Sequence, residues 1–372
     1  MKSLFGNPTV FVIGDDYEIT VYTNANGLCF LRIGEEIFYD AVGGIMRSET
    51  RVHKFRIPQK ILNKAKEYEI IIRGTNLRKA FYSTFNEPES YKYSFKPLEK
   101  TENIKAYYLS DVHYSYKRAL ACASYFGEDT DLYILNGDLG DEISSVEQYR
   151  EIIEFLSNLA KGEVPVLFVR GNHDTKGNPA ERYGEYFPTE NGNTYFTFNL
   201  GIISGVALDL GEDKDDMHPA YDSSEDVKNL PPELSGINRF HDYRKREAEF
   251  LKNIELSGKI RFAVSHIPPV LTELGEYGNR DFELETYTDM SKALGMLDID
   301  FMISGHHHKA LLLTPGDERS TAPHTYPVIV GSAVETSPKN LVGTALILNP
   351  DKTEVLFTDT SKTVRESFTL KH

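Results

Sequence analysis

The chain has 372 residues, 40% of them hydrophobic and 26% charged, a balance that fits a globular protein and excludes a disordered or fibrous one. The length exceeds what a single core usually fills, so two domains are expected. The net charge of −15 is uneven: residues 1–100 carry 15 Lys/Arg against 12 Asp/Glu, net +3, and residues 101–372 carry 26 against 44, net −18. So acidic a portion argues against a polynucleotide track, which needs basic side chains to displace counterions.

The opening "MKSLFGNPTVFVIGDDYE" lacks the charged-then-apolar pattern of a leader, and no apolar run reaches the ~18 residues of a membrane span. Runs such as "TVFVI", "YEITVYT", "LCFLRI", "EIFYD", "VHKFRIP", "EYEIIIRG" and "KAFYSTF" then follow, short and rich in β-branched and aromatic residues. Turn signals such as "NANG" separate them. About seven short strands in this length predict an all-β, immunoglobulin- or fibronectin-like domain over residues 1–100. "QKILNKAKEY" dissents, as a helical turn or a long loop.

Past the polar linker "KPLEKTEN" the pattern changes to an α/β domain over residues 101–372, with apolar strands alternating with helical periodicity. Ser144 or Ser145 can cap a helix in which Val146, Tyr149, Ile152, Ile153, Leu156 and Leu159 share a face and which Gly162 stops. "FHDYRKREAEFLKNI" repeats the pattern, with Tyr243, Phe250, Leu251 and Ile254 as its apolar face. Cys29 and Cys122 share no motif and fall in different expected domains, so no disulfide is expected and the localisation read from the sequence is cytoplasmic.

Polar clusters fall at five strand ends: "AYYLS" runs into "DVH", "LYILN" into "GDLGD", "VPVLFVR" into "GNHD", "IRFAVS" into "HIPP" and "DFMIS" into "GHHH". Ligands in open α/β sheets bind beyond the carboxyl ends of the strands, so the five should converge on one site. An Asp at one strand end is usually a turn or cap, and a lone His usually structural. Together, Asp, Asn and His in this number suit two divalent ions with oxygen and nitrogen ligands, and neither Cys is near enough in sequence to make a thiolate site.

The series "DVH", "GDLGD", "GNHD", a later single His and "GHHH" resembles the DxH, GDxxD, GNH[DE], H and GHxH blocks of the calcineurin-like metallophosphoesterases, in order, from about residue 104 to 310. The resemblance implies a four-layer αββα sandwich with metals above the strand ends. It implies one metal held by Asp111, His113, Asp138 and His308, and a second held by Asp138, Asn172, His266 and His306, with Asp138 shared. It makes His173 the general acid facing the leaving oxygen, Asp174 the carboxylate that orients it, and Asp141 a support for the ligands or nearby amides. The cofactors implied are two divalent ions (Mn, Fe, Zn or similar), with a bridging hydroxide as nucleophile. That ligand set leaves a residual charge of about +1, which favours an anionic phosphoryl group.

An N-terminal β-sandwich ahead of such a domain also resembles the layout of purple acid phosphatases. Those proteins carry a Tyr iron ligand at or near the position of Asp141 and no His at the position of His113, so ferric-tyrosinate chemistry is not expected here. The acidic segment containing "LDLGEDKDD" resembles an insertion of bacterial proteins of this type.

The function expected is hydrolysis of phosphate mono- or diesters of small molecules or nucleotides, with no membrane partner and the N-terminal domain free to dock a protein. The alternatives are a phosphoprotein phosphatase and a non-catalytic, metal-stabilised binding module. His53, His218, His241, His324 and His372 fit no ligand slot and read as structural, His218 being placed in the acidic loop. Arg170 reads as a phosphate contact or an ion pair, Tyr114 and Tyr116 as pocket wall or helix start, and Asn279 and Arg280 as loop residues of unassigned role. In "GHHH", an extended chain alternates sides, which puts His306 and His308 together and His307 opposite.

Overall fold

Strand propensity in the apolar runs and amphipathic helices between them build a computed structural model of stacked sheets and helices. It describes all residues except 1, 214–215, 217–230, 232–235, 272–279 and 337–338, with no side-chain account of 175, 280–283, 333–336 and 339. His218 and Asn279 and the side chain of Arg280 therefore lie outside the described residues.

A ten-stranded mixed sheet runs Val364–Lys371, Lys352–Asp359, Lys339–Asn349, Ile104–Leu109, Leu132–Asn136, Val166–Val169, Thr9–Ile13, Asp16–Tyr22 and Val52–Pro58, with Ala333–Thr336 paired beside Lys339–Asn349. Its central strands, from Ile104–Leu109 to Thr9–Ile13, are parallel. A six-stranded sheet runs Phe196–Leu200, Ile203–Leu208, Ile260–Ser265, Phe301–Ser304, Val328–Val330 and Leu311–Leu313, parallel except at its two edges. Ile134, Leu167 and Val169 of the first sheet share a dry core with Phe262, Val264, Phe301 and Ile303 of the second. Helices Tyr116–Ala123 and Val146–Ala160 cover the outer face of the ten-stranded sheet, and Phe240–Leu251 and Arg280–Met296 that of the six-stranded one. This is the expected α/β metallophosphoesterase arrangement of helix, sheet, sheet and helix.

The first hundred residues are strand-rich, as predicted, and their longer strands divide between two sheets, with Ala41–Val42 and Ile45–Met46 pairing as a separate two-stranded sheet. Thr9–Ile13, Asp16–Tyr22 and Val52–Pro58 extend the ten-stranded sheet, with Phe11 in parallel register against Val166. Glu89–Ser94, Glu67–Arg78, Gly27–Ile33 and Glu36–Tyr39 form a separate sheet, with Ser83–Phe85 added to Glu67–Arg78. The two layers close on each other through Tyr17, Ile19 and Ile57 on one side and Leu31, Tyr68 and Ile70 on the other. A division at residue 100 thus separates segments of sequence but not sheets. "QKILNKA" is a helix, Gln59–Ala65, ended by Lys66 at φ 58°.

The helix Val146–Ala160 starts on a capping box between Ser145 and Gln148 and stops at Lys161 and Gly162, both at positive φ. It buries Tyr149, Ile152, Ile153, Phe155, Leu156 and Leu159, while Val146, expected in that face, is only half-buried. The helix Phe240–Leu251 corrects its expected apolar face. Its buried residues are Arg244, Glu247, Ala248 and Leu251; Tyr243 and Phe250 are half-buried, and Ile254 lies past its end. The physical reason is a polar partner, the ion pair of Arg170 with Asp209, against which this helix packs. Cys29 and Cys122 are both buried and free. Among the described residues no helix is long and apolar enough to cross a membrane.

Candidate metal centre

Five strands end where the sequence places its polar clusters. Ile104–Leu109, Leu132–Asn136 and Val166–Val169 deliver Asp111, His113, Asp138, Asn172, His173 and Asp174 from the ten-stranded sheet. Ile260–Ser265 and Phe301–Ser304 deliver His266, His306 and His308 from the six-stranded one. Asn136 ties the two sheets together at this edge: its Nδ2 donates to the Ser265 carbonyl and to the Tyr108 hydroxyl, both at 2.9 Å.

The backbone turns sharply at the candidate ligands. Asp111, His113, Asp138, His306 and His308 all lie at φ between 43° and 71°. Non-glycine residues seldom occupy this left-handed region, each at about 1–3 kcal/mol, and such strain clusters at functional sites. Local bonds hold it: His113 N–H donates to the Asp138 carbonyl at 3.0 Å and His306 N–H to Asp111 Oδ1 at 3.0 Å. Gly137 and Gly171 let two of these turns touch, because a Cβ on either would collide with the other's backbone.

Asp138 is the hub. Its Oδ2 lies 3.1 Å from His266 Nε2, 3.9 Å from His113 Nε2 and 3.9 Å from His173 Nε2. Burial opposes its charge, but His266, His173 and His113 together hold its carboxyl well below the usual range. Asp111 Oδ1 lies 3.5 Å from His308 Nε2 and 3.9 Å from His266 Nε2, and the Nε2 atoms of His113 and His308 are 3.1 Å apart. His306 places Nδ1 3.2 Å from Asn172 Oδ1. Ligand-type atoms thus gather in three overlapping groups, each within 4.8 Å: Asp111, His113 and His308; Asp111, Asp138 and His266; and His113, Asp138 and His173.

His266 shows that these residues suit a cation. Its Nδ1 faces the Asn136 carbonyl at 2.7 Å, which assigns the proton of a neutral ring to Nδ1. The buried Nε2 then turns a lone pair toward the Asp138 carboxylate and makes no hydrogen bond. Two acceptors face each other unless a proton or a metal ion stands between them. Without metal, burial disfavours the imidazolium but Asp138 outweighs it, and the ring is raised to about 10.

His173 meets a different carboxylate from the one expected. Its Nδ1 lies 2.9 Å from Asp141 Oδ1 and 3.1 Å from the Asp141 carbonyl. Asp174 serves the backbone instead: its Oδ2 accepts the N–H of Gly171 at 2.9 Å and of Asp138 at 3.2 Å. Asp174 therefore braces the two glycine turns from below. Burial first, then the Asp138 charge, raise its carboxyl to about 7. The difference has a local cause: His173 and Asp174 start a short 3-10 turn, Asn172 being its cap, so the two side chains diverge.

The histidine triplet divides, but not by strand alternation. His306 and His308 are left-handed rather than extended, so the alternation premise fails. His306 faces Asn172, His308 faces Asp111 and His113, and His307 places Nε2 on the Leu271 carbonyl. Asp141, expected as a support, meets both His113 and His173, and two supports escaped the sequence: the Asn136 carbonyl on His266, and Asp213, whose Oδ2 lies 2.9 Å from His306 Nε2. Their only sequence signal was the polar cluster or acidic loop around each.

The remaining candidates are structural. Arg170 pairs with Asp209 and sits over the Tyr183 ring. Tyr114 accepts from Gln148 Nε2 at 2.6 Å, and Tyr116 opens a helix and stacks on Phe155. His53 is fully buried on Asp40, and His324 faces the Tyr326 carbonyl.

The family described as calcineurin-like phosphoesterase matches residues 104–310, more than half of the chain. No curated protein sequence matches. Among solved structures, a purple acid phosphatase from yellow lupin seeds is 12% identical, with a TM-score of 0.61 over 98% of this chain and 74% of that one. That likeness is one of fold, and it takes in the strand-rich first hundred residues. A phosphopantetheinyl hydrolase from Mycobacterium tuberculosis is 13% identical, with a TM-score of 0.38 over 62% of this chain and 89% of that one. A putative 5'-nucleotidase from Staphylococcus aureus is 18% identical, with a TM-score of 0.36 over 72% and 54%.

Proposed function

The chain belongs to the calcineurin-like phosphoesterase family and is a metal-dependent phosphoric ester hydrolase, and on that premise we propose that it hydrolyses mono- or diesters of small molecules or nucleotides at a two-metal centre. The observation that carries the reading is the Asp138 carboxylate facing three imidazole nitrogens, one of them the orphaned lone pair of His266. Asp111, His113, Asp138 and His308 hold one ion, and Asp138, Asn172, His266 and His306 the other. Manganese, iron or zinc suits such oxygen and nitrogen donors. When bound, the pair supplies Lewis acidity, an activated water and a clamp on the oxygens of an in-line displacement.

The chain's own residues do the rest. Asp111 and Asp138 are the only charged ligands, so the centre keeps positive charge for an anionic phosphoryl group. In the doubly protonated His173 ring Nδ1–H donates to Asp141, and Nε2–H delivers its proton to the departing ester oxygen, leaving the neutral ring with its proton on Nδ1. His173 is a quarter exposed and can reach substrate, whereas Asp138 and His266 are buried. The net charge of −18 over residues 101–372 favours a compact phosphate ester over a polymer.

The test is metal analysis of the purified chain, then parallel assays on p-nitrophenyl phosphate and bis-p-nitrophenyl phosphate with added manganese. His173→Ala is expected to keep both metals and lose about 10²–10⁴-fold in turnover. Loss of metal in that variant would remove His173 from the acid role, and inactivity of the fully metallated protein on both esters would favour the binding-module reading.

A further inference from the structure

We propose that Asp213, from the acidic segment that the family motifs do not include, is a positioning residue for the metal ligand His306. The inference rests on the reading above, in which His306 is a ligand of the second metal. The His306 ring has two nitrogens with opposite duties. Nδ1 faces Asn172 Oδ1 at 3.2 Å, on the side where the ligands gather. Nε2 faces away from Asn172 and lies 2.9 Å from Asp213 Oδ2. A carboxylate there accepts Nε2–H, leaves the Nδ1 lone pair for metal and fixes the ring plane.

Asp213 is placed for this by its surroundings rather than by chance of a surface loop. Its side chain is 11% exposed. Just before it, Arg244 Nη1 donates to the Leu210 carbonyl at 2.9 Å and also to the Glu212 carbonyl. Arg244 is fully buried, so these bonds are shielded from water. Just after it, Asp216 accepts the N–H groups of Phe240 at 2.9 Å and His241 at 3.2 Å, which pins the segment to the start of the helix Phe240–Leu251. The helix Phe240–Leu251, one of the two over the six-stranded sheet, therefore sets, through Asp213, the orientation of one ligand.

Manganese binding to the full chain, by titration calorimetry with the bound metal counted after dialysis, tests this on wild type, Asp213→Ala, Asp213→Asn and His306→Ala. Asp213→Ala is expected to weaken one of two sites by about 10–100-fold and leave the other unchanged. Asp213→Asn, whose amide oxygen still accepts from Nε2–H, should recover most of that loss. In cobalt-substituted protein the visible absorption of the weakened site should shift in the Ala variant and return in the Asn variant, a signature that a general loss of folding would not give. Wild-type affinity at both sites in Asp213→Ala, while His306→Ala loses one site, overturns the positioning role alone. An Asn variant as weak as the Ala variant also overturns it, because the carboxylate would then be acting as a ligand. Two full-affinity sites in His306→Ala overturn the ligand assignment of His306 itself, and the positioning role with it.

Discussion

The two halves of the α/β region are built alike and filled differently. Each has parallel strands at its centre, antiparallel strands at its edges and helices on its outer face. The helix Val146–Ala160 over the ten-stranded sheet buries six large apolar or aromatic side chains. The helix Phe240–Leu251 over the six-stranded sheet buries Arg244 and Glu247 instead, against Asp209 and Arg170. The strand ends differ in the same sense. The first half brings the carboxylates and the Asn of the candidate centre, and the second brings only imidazoles. The half with the polar interior brings Asp213 to the His306 ring, whereas in the other half Asp111 and Asp138 sit on left-handed turns held by Ser110 and Asp174.

Breaking the polar interior should be costly. Asp209→Ala strips Arg170 of its buried partner and is expected to destabilise the chain by about 3–5 kcal/mol, read from urea unfolding in the presence of chelator. Leu156→Ala, in the apolar half, should cost about 2–5 kcal/mol through cavity formation. A loss well below 1 kcal/mol for Asp209→Ala would mean that the buried charges do not organise their half.

Glu247 sharpens the contrast through pH. Burial first, then the Asp209 charge, hold its carboxyl well above the ordinary range. Its folded value thus exceeds its unfolded value of about 4.3, so the stability it contributes is complete below that pH and is lost as pH rises through the folded value. Glu247→Gln keeps an oxygen for the Asp209 N–H and does not ionise. Its stability relative to wild type should therefore grow from pH 5 to pH 8, measured as the difference in urea midpoints. A difference independent of pH would place the charge of Glu247 outside the balance.

The smallest effect is expected at the strand end of the polar half. His307 reaches the Leu271 carbonyl, away from the ligands. His307→Ala should leave metal content unchanged, counted on the purified protein. Metal loss equal to that of His306→Ala would break the division of the triplet.

Much of the fold was legible in the chain itself. "TVFVI", "LYILN" and "VPVLFVR" are strands because short β-branched runs suit a buried pleat, and Ser145 and Gln148 cap a helix because their side chains satisfy its free N–H groups. The helix Phe240–Leu251 shows the limit. Its periodicity told where a helix runs but not which face is inside, since that depends on what the neighbouring layer presents.

By itself the sequence determined the family blocks, their order and their place after apolar strands, because those depend on local composition and spacing. Only the tertiary structure decided that the first strands join the ten-stranded sheet, that Asp141 rather than Asp174 meets the His173 ring, and that Asp213 reaches His306. Each of these is a contact between segments distant in sequence, or a choice of side-chain direction made by a left-handed or 3-10 turn. Neither leaves a periodic trace along the chain.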